Sequence, residues 1–131
     1  MKKNGKGVID LSAPRYFSNA KETLKQSEIE LGHYKDAKYV AEASGMAYLA
    51  ALKAIYHYAE KSGLIEKNTR PKSYEGISHL INRFPQKNKI HVKFKSIYDI
   101  LHTGAYYNEF TRASWIKDGF NDVEAIIKML N

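Results

Sequence analysis

Between Asp36 and Ser62 the chain runs DAKYVAEASGMAYLAALKAIYHYAEKS, roughly seven helical turns without a proline. From Ala43 to Ala59 only Lys53 is charged, and Ala, Leu, Ile and Tyr fill most other positions. Ala is the best helix former, and the Gly63 that follows can take the left-handed conformation that ends a helix. A helix this apolar around most of its circumference must be surrounded by other elements. It reads as the central helix of a bundle, which fixes much of the fold and little of the chemistry.

The flanking segments carry helical spacing too. Ser12-Ala13-Pro14 supplies a capping hydroxyl and a proline for a first turn. Phe17, Ala20, Leu24 and Leu31 then recur up to Gly32, predicting a first helix of about 18 residues. Gly32 to Lys35 reads as a tight turn before an Asp36 cap, so the first two helices should be antiparallel neighbours. Ser73 can cap a short third helix with the stripe Tyr74, Ile77, Ile81 and Phe84, ended by Pro85. Ile90, Phe94, Ile97, Leu101 and Ala105 mark a fourth helix reaching toward Phe110. Asp118-Gly119 reads as a break or cap before a last helix built on Phe120, Val123, Ile127 and Leu130. No strand-like alternation competes with these spacings. The expected fold is all-α, a four-helix up-down bundle with a short additional helix, in one domain spanning 1–131.

With 131 residues there is room for one core. The absence of cysteine excludes disulfides and thiolate chemistry and fits a reducing compartment. The first eleven residues read as a basic arm, whose apolar piece from Val8 to Leu11 is too short for a secretory signal. No stretch reaches the roughly 18 unbroken apolar residues of a membrane span. The expectation is a cytoplasmic protein without membrane association.

The net charge of +7 is unevenly spread. Lys67, Arg70, Lys72, Arg83, Lys87, Lys89, Lys93 and Lys95 face only Glu66 and Glu75 between Leu64 and Lys95. Such a region can attract RNA or an acidic partner; a lysine-rich solvated surface is the plainer reading. The five histidines include no pair three or four residues apart. His91 and His102, eleven apart, share a helix side but stand three turns from each other, too far for one metal ion. Neither a metal nor a cofactor is therefore expected. Ten tyrosines invite a base-stacking reading, yet Tyr74, Phe84 and Phe94 already sit on core stripes. On the long helix, Lys38, Glu42, Lys53, His57 and Glu60 form the outward stripe, which also carries Gly45, Met46, Leu49 and Tyr56. A small and apolar patch among charges is a candidate self-association surface.

The helix like YFSNAKETLKQSEIEL, the link GHYKDA, the Ala-rich YVAEASGMAYLAALKAIYHYAE and the following SYEGISHLINRF together resemble the HEPN superfamily of small helical bundles. That resemblance covers roughly Ala13 to Leu130 and implies the bundle fold. Many members look like metal-independent ribonucleases that use an Arg followed, after about four to six residues, by a His. Here the nearest pair is Arg83 and His91, with seven residues between them, Phe84 directly after the Arg, and Pro85 interrupting the helix. The motif is not matched. Other members act as binding partners, some paired with a nucleotidyltransferase, and the chain looks more like those. The expectation is a non-enzymatic interaction module, a homodimer with a possible nucleotidyltransferase-type or other protein partner. The alternative is an RNA-binding protein or ribonuclease, a toxin–antitoxin component, using the basic region and, for cleavage, Arg83 and His91.

Overall fold

A computed structural model describes residues 10–131. Most of the expected basic arm, residues 1–9, lies outside the described residues; Asp10 and Leu11 lie within them.

Helix α1 (Ala13–Leu24) starts as its sequence dictates, with the Ser12 hydroxyl accepting from the Arg15 amide at 3.3 Å. It ends at Leu24, about two turns before Gly32, shorter than helical spacing predicts. The residues between form a small antiparallel hairpin, β1 (Ile29–Glu30) with β2 (His33–Tyr34). Its two turn residues, Leu31 and Gly32, have φ of 52° and 81°, the left-handed pair that a tight two-residue hairpin requires. Leu31, counted above as a core position, therefore stands at the tip, 95% exposed. Buried Ser27 closes the base of the hairpin: its hydroxyl accepts from the Asp36 amide at 2.8 Å. The helical spacing predicts no strand here, and the structure has a sheet of two strands with two residues each.

Helix α2 (Ala37–Lys61) is the central element. The Asp36 carboxylate accepts from the Lys38 amide at 3.1 Å to cap it. At its other end Gly63 takes φ 75°, and the amides of Gly63 and Leu64 return to the carbonyls of Glu60 and Ala59. That is the paired-bond ending which satisfies the last free carbonyls. Val40, Ala43, Ala47, Ala50, Ala51, Ile55 and Ala59 have no accessible surface. Their small side chains let α1 and α5 approach closely.

After a 3-10 turn (Lys67–Thr69), α3 (Tyr74–Ile81) is capped by Ser73, which accepts from the Gly76 amide at 2.9 Å. Gln86, left-handed at φ 58°, starts α4 (Lys87–Ile97). This helix continues into a ten-residue π-helix (Tyr98–Tyr107). Helix α5 (Ala113–Leu130) completes the bundle.

Gly119 does not break the last helix. It lies buried in the interior of α5, where a Cβ would meet Leu101 Cγ and Cδ2 at 2.8 Å. The glycine is there because the π-helix passes too close for any side chain. Overall the described residues form an all-α bundle of α1, α2, α4 with its π-helical extension, and α5, with α3 as the short extra helix.

Candidate interaction surface

The π-helix sets the character of one flank. Its hydrogen bonds run from i to i+5, so side chains four and five residues apart become neighbours. Tyr98, His102 and Tyr106 accordingly follow one another, with ring centroids 5.0 and 6.2 Å apart, and Tyr107 lies 5.1 Å from His102. Tyr48 of α2 stacks on His102 at 4.4 Å with planes 19° apart. Deeper in, Tyr74 stacks on fully buried Phe94 at 5.6 Å. Burial pushes the Tyr48 phenol above its ordinary range and the His102 imidazolium below its own, so both rings are neutral near pH 7.

Toward solvent the row ends in open side chains. Tyr106 is 48% and Tyr107 67% exposed. The chain then turns through Asn108, whose amide donates to the Thr103 carbonyl at 2.8 Å, and left-handed Glu109. The Phe110 amide donates to the Gly104 carbonyl, and the Phe110 ring covers Gly104 so closely that a Cβ would come within 2.6 Å of it. Phe110 lies 5.6 Å from the ring of Trp115, itself 46% exposed with the Arg112 guanidinium 5.0 Å above it. Hairpin and α5 are tied here: the Tyr34 amide donates to the Thr111 carbonyl, and the Ala113 amide to that of Gly32. Aromatic side chains left open on such a pinned framework are pre-organised for contact rather than free to bury themselves.

The outward stripe of α2 meets this edge. Gly45 lies beneath the Tyr106 ring, and Leu49, one turn further along, is 46% exposed. The other two stripe residues are occupied within the fold. Met46 packs partly against the core. Tyr56 donates its hydroxyl to the Pro71 carbonyl and lies under the Arg70 guanidinium. The exposed large apolar side chains along this flank are Leu49, Tyr106, Tyr107, Phe110 and Trp115, the last four not singled out from sequence; Leu11, Ile29, Leu31 and Val92 are exposed as well. The signal is Tyr-Tyr followed by Phe and Trp within ten residues, but helical spacing assigns Tyr106 to Phe110 to the end of a helix.

The eight basic residues do not form one surface of free cations. Arg70 pairs with Glu60 through Nε and Nη2, Lys93 with Asp122 at 3.8 Å, and Lys95 with Asp99 at 2.8 Å. The guanidinium of Arg83 donates to the Leu64 carbonyl at 3.2 Å. Lys67, Lys72, Lys87 and Lys89 have no carboxylate partner among the described residues, but they are divided between the 3-10 turn, the linker after it and the start of α4. His91 shares a 2.7 Å hydrogen bond with Asn82 Oδ1, so neither member of the Arg83–His91 pair is bonded to the other. Among the described residues no group of three or more His, Asp or Glu is placed to hold a metal, and no helix is long and apolar enough to cross a membrane.

These features define an all-α helical bundle with one aromatic, solvent-facing flank. The chain belongs to the DUF5618 family, a domain of unknown function, whose profile matches residues 10–131. It is similar to a solved protein of unknown function from Dyadobacter fermentans, with 31% sequence identity and a TM-score of 0.78 over 92% of this chain and 91% of that one. Comparison with curated proteins finds no match.

Proposed function

We propose that this chain is a cytoplasmic, HEPN-like interaction module without catalytic activity, which associates with a second copy of itself through the aromatic flank. The observation that carries this reading is five large apolar side chains, Leu49, Tyr106, Tyr107, Phe110 and Trp115, each 38% exposed or more, held on a hydrogen-bonded framework. Trp and Tyr, with Arg, are the side chains most enriched at interface hot spots.

A second copy is favoured as occupant by the charges around the patch. Exposed Lys38 and Glu42 precede Gly45 on α2, and exposed Glu109 and Arg112 flank Phe110. Both signs are present, so a two-fold arrangement can set each acid against the other copy's base. A strongly acidic or basic partner would leave half of that rim repelled. The HEPN-like part of the reading is supported by the order of pieces: a capped first helix, a short connection, the long Ala-rich helix and a short third one.

Light scattering over a dilution series tests the association. The expected mass is twice 15.0 kDa at about 50 µM, falling toward 15.0 kDa on dilution. Leu49→Glu should hold the protein at the monomer mass with its helical circular dichroism intact. A wild-type mass that stays at 15.0 kDa throughout refutes self-association.

A further inference from the structure

The opposite half of α2 borders a different feature. A cavity of about 560 Å³ opens between the start of α1, the C-terminal half of α2, the 3-10 turn and the end of α5. Its size falls within the roughly 300–1,000 Å³ of small-molecule sites. Leu11, Ala54, Ile127 and Leu130 give it an apolar wall. Ser12 and Asn131 line it as well, and four basic side chains, Lys53, His57, Lys67 and Arg70, face it without an Asp or Glu side chain among the lining residues.

Those four groups come from two pieces of chain, α2 and the 3-10 turn with its C-cap. Lys53 and His57 are one turn apart on α2, Lys67 opens the 3-10 turn, and Arg70 follows it. Lys53 is partly buried with its ammonium 4.4 Å over the Tyr16 ring. Among the described residues neither it, His57 nor Lys67 has a carboxylate within ion-pair distance. Arg70 differs: Glu60 accepts from its Nε and Nη2, which fixes the guanidinium and leaves Nη1 unengaged. Glu60 sits outside the lining, its carboxyl held below the usual range first by the Arg70 hydrogen bond and then by the charges of Arg70, Lys67 and His57. One carboxylate thus faces an excess of cations.

We propose that this cavity binds a small phosphomonoester, its phosphate held by Lys53, Lys67 and Arg70 and its organic body against the apolar wall. Three cations lining one opening suit a tetrahedral dianion better than a planar carboxylate, which two parallel donors already satisfy. A pre-fixed guanidinium loses little freedom on engaging phosphate. His57 contributes a ring N–H at the same mouth. The site is independent of the aromatic flank, since its residues lie on the half of α2 beyond Leu49.

Isothermal titration of the full chain with inorganic phosphate and with phenyl phosphate, at low and high salt, tests the proposal. Phenyl phosphate should bind one to one, about tenfold or more tighter than inorganic phosphate, because only it fills the apolar wall. Lys53→Gln and Lys67→Gln should each weaken it about tenfold or more, the loss of one charge-assisted contact. Lys67 is exposed on a turn, so its substitution leaves the fold intact and serves if Lys53→Gln disturbs the packing on Tyr16. Absence of binding by either compound at millimolar concentration would overturn the proposal. So would equal affinity for the two, or affinity untouched by both substitutions. Tight, salt-sensitive binding of single-stranded RNA that phenyl phosphate fails to displace would assign the cations to nucleic acid instead.

Discussion

The two sides of the π-helix use the same packing device to opposite ends. On the inner side Leu101 presses onto Gly119 of α5, and both residues are buried. On the outer side Tyr106 presses onto Gly45 of α2, but half of its own surface remains open. A glycine beneath a large side chain therefore closes a helix–helix seam in one place and supports an exposed aromatic edge in the other. What distinguishes them is whether a further element covers the large residue. Inside, α5 does so; outside, nothing in the chain's described residues covers Tyr106 or Tyr107.

Side-chain truncation should expose this contrast most strongly. Leu101→Ala should cost about 2–5 kcal/mol in urea unfolding, because the cavity is walled by α5 and cannot collapse freely. Tyr107→Ala, at a position 67% exposed, should change stability by no more than about 0.5 kcal/mol while weakening association. Equal costs would show that the outer flank is core after all.

Filling the two glycines is a finer test. Gly119→Ala places a Cβ 2.8 Å from two Leu101 carbons and should destabilise the protein by about 1–3 kcal/mol despite the better helix propensity of Ala. Gly45→Ala meets Tyr106 Cδ1 at 3.0 Å, a ring free to tilt toward solvent. There the propensity gain should prevail, leaving stability unchanged or raised by up to about 1 kcal/mol. A large loss at Gly45 would mean that Tyr106 is fixed as firmly as Leu101.

The smallest effect is a pH dependence at the boundary between the two sides. Desolvation lowers the His102 pKa from its usual 6.5, so the unfolded chain binds that proton more readily than the folded one. Stability from this residue is full above the unfolded value and is lost as pH falls through 6.5 toward the folded pKa. Melting curves between about pH 7 and about pH 5 should show a decline that His102→Phe reduces.

Local structure is legible in the sequence wherever a single side chain decides the outcome. The Ser12, Asp36 and Ser73 caps, the Gly63 ending and the buried Ala face of α2 all follow from residue chemistry within one turn. It is not legible where a distant partner decides. Leu31 fits a helical stripe, but Ser27 and Gly32 favour a hairpin that also bonds to residues 111–113. Gly119 looks like a breaker until Leu101 is brought against it. The site was half legible. Leu49 emerged from the outward stripe, whereas Tyr106 and Tyr107 at the end of the π-helix, Phe110 in the turn after it and Trp115 on α5 did not, because their exposure depends on how those separate elements meet. The cavity drew its cations from both the outward stripe and the basic region, two patterns that periodicity along the chain keeps apart.

The central claim, self-association through the aromatic flank, is tested most directly by amide and indole resonances followed on dilution. Trp115 is the only tryptophan, so its ring N–H gives an unambiguous signal at the edge of the patch. From about 500 µM to about 10 µM, that signal and the amides of Gly45, Leu49, Tyr106, Tyr107 and Phe110 should move together along one binding curve. Those of Lys87 to Lys93 should remain still. Shifts confined to the start of α4, or none across the series, would contradict the assignment of this flank as the contact surface.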